Sequence, residues 1–183
     1  RPLIVAMVEE HEGPESARLA AHWLERQPEG VTVYRDASGE PAGFMAAIAI
    51  EKAALEDIAI DPAALAVARF LETHAPLRPG ERVTLFRFWM ARDSYQAVSS
   101  VQSLAFISAV RHYLTMPNLA CTFFACAEPD FWVQLDLTPF RGKPATVTVD
   151  RLPSDSRALA SLEVSDQLKG AEIRPHPLQK PYP

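Results

Sequence analysis

Cysteine is scarce in this chain: Cys121 and Cys126 are its only two. That excludes a disulfide scaffold. The pair lies five residues apart in a predicted strand, so the side chains are expected on opposite faces, as small buried hydrophobes rather than a bridge. Glycine is sparse too, at seven of 183 residues, and none falls in a Walker or dinucleotide fingerprint. A basic surplus is lacking: 18 Lys and Arg against 23 Asp and Glu leave a net charge of -5, so no nucleic-acid face is expected. No apolar run approaches ~20 residues, so no membrane span is expected. There is no Gly-x-Ser-x-Gly elbow. The five histidines, at 11, 22, 74, 112 and 176, are scattered without zinc spacing, and no metal site is expected. The chain opens on Arg1 rather than Met and shows no signal-peptide pattern, which reads as a fragment or processed product of a cytoplasmic protein.

What is present suits a folded domain: 48% hydrophobic and 22% charged residues, at a length that can bury a sizeable core. Leu3 to Val8 is a short apolar run with β-branched members and predicts a strand. Gly13-Pro14 opens a helix, with Ala17, Ala20, Ala21 and Leu24 at helical spacing. Val31 to Arg35 and Pro41 to Ile50 predict two strands of a hairpin around Asp36-Ala-Ser-Gly-Glu40. A helix is predicted over Glu56 to Ala75, with Asp61-Pro62 as cap and first-turn proline. The clearest stretch follows: strand Val83 to Met90, a polar turn, a helix capped by Ser99 and Ser100 that runs to about Thr115, and strand Leu119 to Cys126. Ser103, Phe106, Ile107, Val110, Tyr113 and Leu114 share one face of that helix, which predicts the face packed on the sheet. The two strands are apolar on both faces and so central, and a helical crossover lets them be parallel. A short helical turn at Asp130 to Gln134, a strand at Ala145 to Val149 and a weak helix at Leu152 to Leu168 complete the order. The tail holds Pro175, Pro177, Pro181 and Pro183, which predicts an extended linker or docking arm.

This order resembles the GNAT N-acetyltransferase superfamily over roughly Leu3 to Asp150, with residues 151–183 as a C-terminal extension. Tyr34-Arg-Asp-Ala-Ser-Gly-Glu-Pro-Ala-Gly-Phe44 looks like the family's second and third strands with their Gly-Phe step. The strand ending at Met90, its turn and its helix look like the acyl-CoA element, which aligns Arg92, Tyr95 and Ala97 with the family's Arg/Gln-x-x-Gly-x-Gly/Ala. The resemblance implies an α/β (α+β) fold with a mixed, mostly antiparallel sheet, and acyl transfer from acetyl-CoA or another acyl-CoA to an amine. It is also similar to GNAT-type modules of larger bacterial multidomain proteins, which implies the alternative of a non-catalytic module that binds a ligand or partner. Two departures stand out: Tyr95 replaces the first glycine, and only Trp132 lies near the position of the tyrosine usual after the fifth strand.

The implied cofactor set is Trp89, Met90, Arg92, Tyr95, Ala97, Ser99, Ser100 and Trp132. Backbone N–H groups at a capped helix start suit a phosphate. Each residue also has a plainer reading. Arg92 either steers a phosphate or is a solvated turn residue, and Ser99 and Ser100 either face an anion or cap the helix. Trp89 and Trp132 either line an acyl tunnel or pack in the core. Glu10 and His11, in the cluster Glu9-Glu-His-Glu12, are the candidate catalytic residues on the acceptor side, or else a solvated loop. Arg87, mid-strand among aromatics, must be paired with a carboxylate or face an acidic ligand. His112 is expected at the surface or the helix C-terminus, and Tyr113 in the core. Expected partners are a small-molecule amine and, through the proline-rich tail, a protein.

Overall fold

The computed structural model describes residues 1–127, 148–151 and 158–163. Two helices open the chain, α1 at Pro2–Glu12 and α2 at Pro14–Arg26. The run expected as a first strand is therefore helical. A short apolar run fits either period, and here the helical one wins. Pro2 sits in the first turn, Ile4, Met7 and Val8 fall on one buried face, and the helix runs on through the acidic cluster to Gly13 at φ 85°. Strands β1 (Val31–Arg35) and β2 (Pro41–Ala49) form the hairpin, whose turn is held by Asp36 accepting from the Ser38 and Glu40 N–H groups.

The single helix predicted next is two, α3 (Leu55–Ile60) and α4 (Pro62–His74). Asp61 between them is extended (φ -103°, ψ 111°) and accepts from the Ala63 N–H as cap of α4. A residue before proline is pushed out of the helical region, which sets the break. Then follow β3 (Arg82–Ala91), α5 (Ser100–Thr115) and β4 (Leu119–Cys126). The last two strands are β5 (Thr148–Arg151) and β6 (Ala158–Glu163). The expected strand overlaps β5. Where a weak helix was expected at residues 152–168, residues 158–163 form a strand instead, added to the free edge of β4. The helical turn at 130–134 and the proline-rich tail lie outside the described residues.

The sheet is mixed, in the order β1-β2-β3-β4-β6-β5. Every neighbouring pair is antiparallel except β3 and β4, which are parallel and joined by α5. The expected α/β (α+β) class with a mostly antiparallel sheet is what is found. Cores lie on both faces. One packs α1, α2 and α4 against Phe44, Ile48, Leu85, Phe88, Met90 and Phe123. The other packs α5 against Tyr34, Met45, Phe86 and Trp89. Cys121 belongs to the first and Cys126 to the second, on opposite faces, and both are free thiols.

The expected packing face of α5 is reversed in part. Val101, Gln102, Ala105 and Ala109 are buried and Phe106 and Tyr113 partly so, whereas Ser103, Ile107, Val110 and Leu114 are exposed. The rings of Phe86, Trp89 and Phe124 already fill the space above the sheet. Small side chains at Ala105 and Ala109 let the middle of the helix settle close on them.

Candidate functional site

The site begins with one extra residue in β3. Against β2, Phe88 pairs with Ala46 and Phe86 with Ala47, so Arg87 has no register partner there. This bulge turns both Arg87 and Phe88 toward the helical layer of α1, α2 and α4 and bends the strand. The parallel pairing of β3 with β4 ends at the same place, with Phe86 opposite Phe124. Beyond it β3 and β4 are no longer paired, and the turn 92–99 reaches the opening through Gln96.

Arg87 is buried and bound on the helical side. Its Nε lies 2.8 Å from Asp61 Oδ2 and 3.1 Å from Oδ1, and Nη1 is 3.9 Å from Glu12 Oε2. Asp61 also accepts from the Trp23 indole N–H at 2.8 Å. Of the two readings of Arg87, pairing with a carboxylate is the one found. The network continues to the turn: Tyr95 Oη donates to Glu12 Oε1 at 2.9 Å, and its ring stacks on His11 at 5.2 Å. His11 Nε2 lies 2.7 Å from the Arg92 carbonyl, which only accepts, so Nε2 is the donor; in the neutral ring the lone pair is then on Nδ1.

Tyr95 itself has φ 53°, a left-handed backbone. That conformation is glycine's, and a side chain that takes it must be held there. The Glu12 and His11 contacts and two backbone hydrogen bonds with Ala91 do so. The turn is thus shaped as a glycine would shape it, with a phenol added.

The other sequence-selected residues fall as follows. Arg92 is half-buried and spends its guanidinium on the Pro41 carbonyl at 3.0 Å and on Asp93 at 3.1 Å, with Asp36 at 3.9 Å. Ala97 is exposed, its N–H on the Ser94 carbonyl. Ser99 is the cap of α5, accepting from the Gln102 N–H, and Ser100 begins the helix, exposed. Met90 is buried beside Gly43, where a Cβ would lie 2.4 Å from the Met90 carbonyl oxygen, so only glycine lets β2 and β3 meet there. Glu10 is exposed on α1, apart from the network formed by His11. Trp132 lies outside the described residues.

Two residues of the site carried no signal of their own in the sequence, Asp61 as an ion-pair partner and Gln96, while Glu12 was marked only as a member of the acidic cluster around His11. Gln96 is the one buried residue in the turn 92–99. Its Nε2 donates to the Ala125 carbonyl at 3.3 Å, and its Oε1 accepts from the Ala127 N–H at 2.9 Å. Trp89 Nε1 donates to the same Ala125 carbonyl at 2.8 Å. The opening between β3 and β4 is therefore bridged by side chains.

Among the described residues no group of three or more His, Cys, Asp or Glu side chains is placed to hold a metal ion, and no helix is long and apolar enough to cross a membrane. A surface groove of about 440 Å³ lies elsewhere, between α1 and α2, lined by Val5, Ala6, Ala21 and Leu24. Comparison with models of known protein families, with curated proteins and with solved structures finds no match to this chain.

Proposed function

We propose that this is a GNAT-like domain built to bind acyl-CoA at the opening between β3 and β4, and that acyl transfer to an amine is the activity its plan serves. The observation that carries this reading is the parallel β3–α5–β4 unit whose strands part at the Arg87 bulge. Where parallel strands part, their main-chain N–H and C=O groups lose each other as partners, and that suits an extended ligand that carries amides. The N-terminus of α5 follows the turn that carries Gln96, and its first-turn N–H groups, apart from the Gln102 N–H held by Ser99, suit the phosphates of the same ligand. The strand order β1-β2-β3-β4-β6-β5 and the Gly43-Phe44 step support the same plan.

The residues present fit acyl-CoA in part. Ser99, Ser100 and the turn amides are offered for phosphate, Trp89 and Met90 for the walls of the opening. His11, through Nδ1, is the acceptor-side base, with Glu10 beside it in sequence. Acyl-CoA supplies the activated thioester, and the chain supplies its orientation and a proton acceptor.

A second reading, a non-catalytic module that binds a ligand or partner within a larger regulatory protein, is favoured by a specific observation. Tyr95 carries a ring at the left-handed position where close approach of phosphate to backbone wants no Cβ, and that ring is tied to Glu12. Arg92 is likewise committed to Pro41 and Asp93.

Thermal unfolding with and without acetyl-CoA, coenzyme A and a plain nucleotide separates these readings. A ligand at about 100 times its Kd stabilises the native state by about 2.7 kcal/mol. A rise in midpoint with both coenzyme forms but not the nucleotide establishes the acyl-CoA site, and an amine screen then decides transfer. No rise with either coenzyme form at millimolar concentration removes the acyl-CoA reading and leaves the module.

A further inference from the structure

We propose that Gln96 is a latch on the β3/β4 opening: its side-chain amide occupies the place on β4 that an amide of the acyl-CoA arm takes, and the arm enters as Gln96 turns out. This inference rests on the acyl-CoA reading above.

The hydrogen-bond pattern is that of a strand. In a parallel ladder, one residue donates its N–H to the carbonyl before its opposite number and accepts from the N–H after it. Gln96 donates to Ala125 and accepts from Ala127, the two neighbours of Cys126. Had β3 kept its register past Phe86 and Phe124, Phe88 would have stood opposite Cys126. The bulge at Arg87 withdraws Phe88 into the core on the helical side, and the carboxamide of Gln96 takes its place. Gln96 is held by a turn, not by the sheet, so its removal leaves the six-stranded ladder intact.

Gln27 makes the same two-point contact with Ala49, donating to its carbonyl at 3.1 Å and accepting from its N–H at 2.8 Å. That contact lies at the end of β2, beyond the last residue paired with β1, and has no parted strands beside it. It is an ordinary satisfied glutamine and serves as the control. What distinguishes Gln96 is the opening that it spans, together with Trp89 on the same acceptor.

A ligand that must displace an internal competitor binds more weakly by the fraction of time the site is free. Two readouts on the 183-residue chain test the latch: coenzyme A affinity by calorimetry, and amide hydrogen exchange at Ala127. Relative to wild type, Gln96→Ala is expected to exchange faster at Ala127 and to bind coenzyme A about tenfold more tightly, with coenzyme A restoring protection at Ala127. Gln27→Ala is expected to leave the affinity unchanged. Equal or weaker coenzyme A binding by Gln96→Ala, with wild type binding measurably, overturns the latch and leaves the acyl-CoA site standing. No binding by either, and no effect of coenzyme A on Ala127 exchange, overturns the acyl-CoA reading and the latch with it. If Gln96→Ala fails to fold, Gln96→Asn carries the test, since its amide is one methylene too short to make both contacts, and the same outcomes apply.

Discussion

Asp61 and Arg87 meet as an ion pair inside the core, the guanidinium Nε–H shared between the two carboxylate oxygens at 2.8 and 3.1 Å. The same carboxylate caps α4 at the Ala63 N–H and accepts from the Trp23 indole. One side chain thus joins α2, α4 and β3.

Asp61→Ala leaves a buried guanidinium with only Glu12 nearby, a helix without its cap and an indole N–H without its acceptor. Loss of one partner of a buried pair typically costs about 3–5 kcal/mol. Urea unfolding is expected to show a loss in that range for Asp61→Ala. A loss below about 1 kcal/mol, the worth of an exposed pair, would mean that water reaches the site and that Arg87 is not buried as described.

The outward face of α5 gives a second prediction. Ala105 and Ala109 lie against the sheet, while Ile107 is 63% exposed. Ala105→Leu forces three extra carbons between the helix and the sheet rings of its cluster, Phe86 and Trp89, and overpacking of this kind costs about 1–3 kcal/mol. Ile107→Lys touches no described core and is expected to stay within about 0.5 kcal/mol of wild type. Thermal unfolding of the two variants reads this directly. The opposite ranking would restore the face that hydrophobicity alone selects.

That reversal shows where the sequence stops being legible. The hairpin, β3, α5 and β4 follow from local chemistry: Asp36 and Gly39 make a turn, Ser99 makes a cap, and apolar runs of strand length make strands. The face of α5 does not follow, because an apolar residue occurs on every side of this helix. The choice is made by the rings of β3 and β4, far away in sequence. In α1 the short run of Leu, Ile and Val fits period 2 as well as period 3.6, and only the packing of Ile4, Met7 and Val8 decides. The site divides the same way. Arg92, Tyr95 and Ser99 are marked by a turn that feeds a helix. Glu12, Asp61 and Gln96 act through partners 83, 26 and 31 residues away, and no local pattern announces those partners, although a cluster marks Glu12 and a cap marks Asp61.

His112 gives a prediction in pH. Its ring is half-buried on α5, hydrogen-bonded through Nε2 to Thr84 Oγ1 at 2.8 Å and edge-on to Phe86. Burial disfavours the imidazolium and holds the pKa below the ordinary 6.5, while Glu51 pulls weakly the other way. The folded state therefore binds fewer protons than the unfolded one near and below pH 6.5. Stability from this group is fully present above the unfolded value and is lost as pH falls through the lowered folded value. Urea unfolding between about pH 5 and 8 is expected to show stability rising with pH through the histidine range. His112→Gln, which keeps a partner for Thr84 but cannot titrate there, is expected to rise less steeply. The difference between the two slopes isolates His112 from the other titrating groups. Equal slopes would mean that the ring is solvated in both states, and that the contact with Thr84 does not persist in solution.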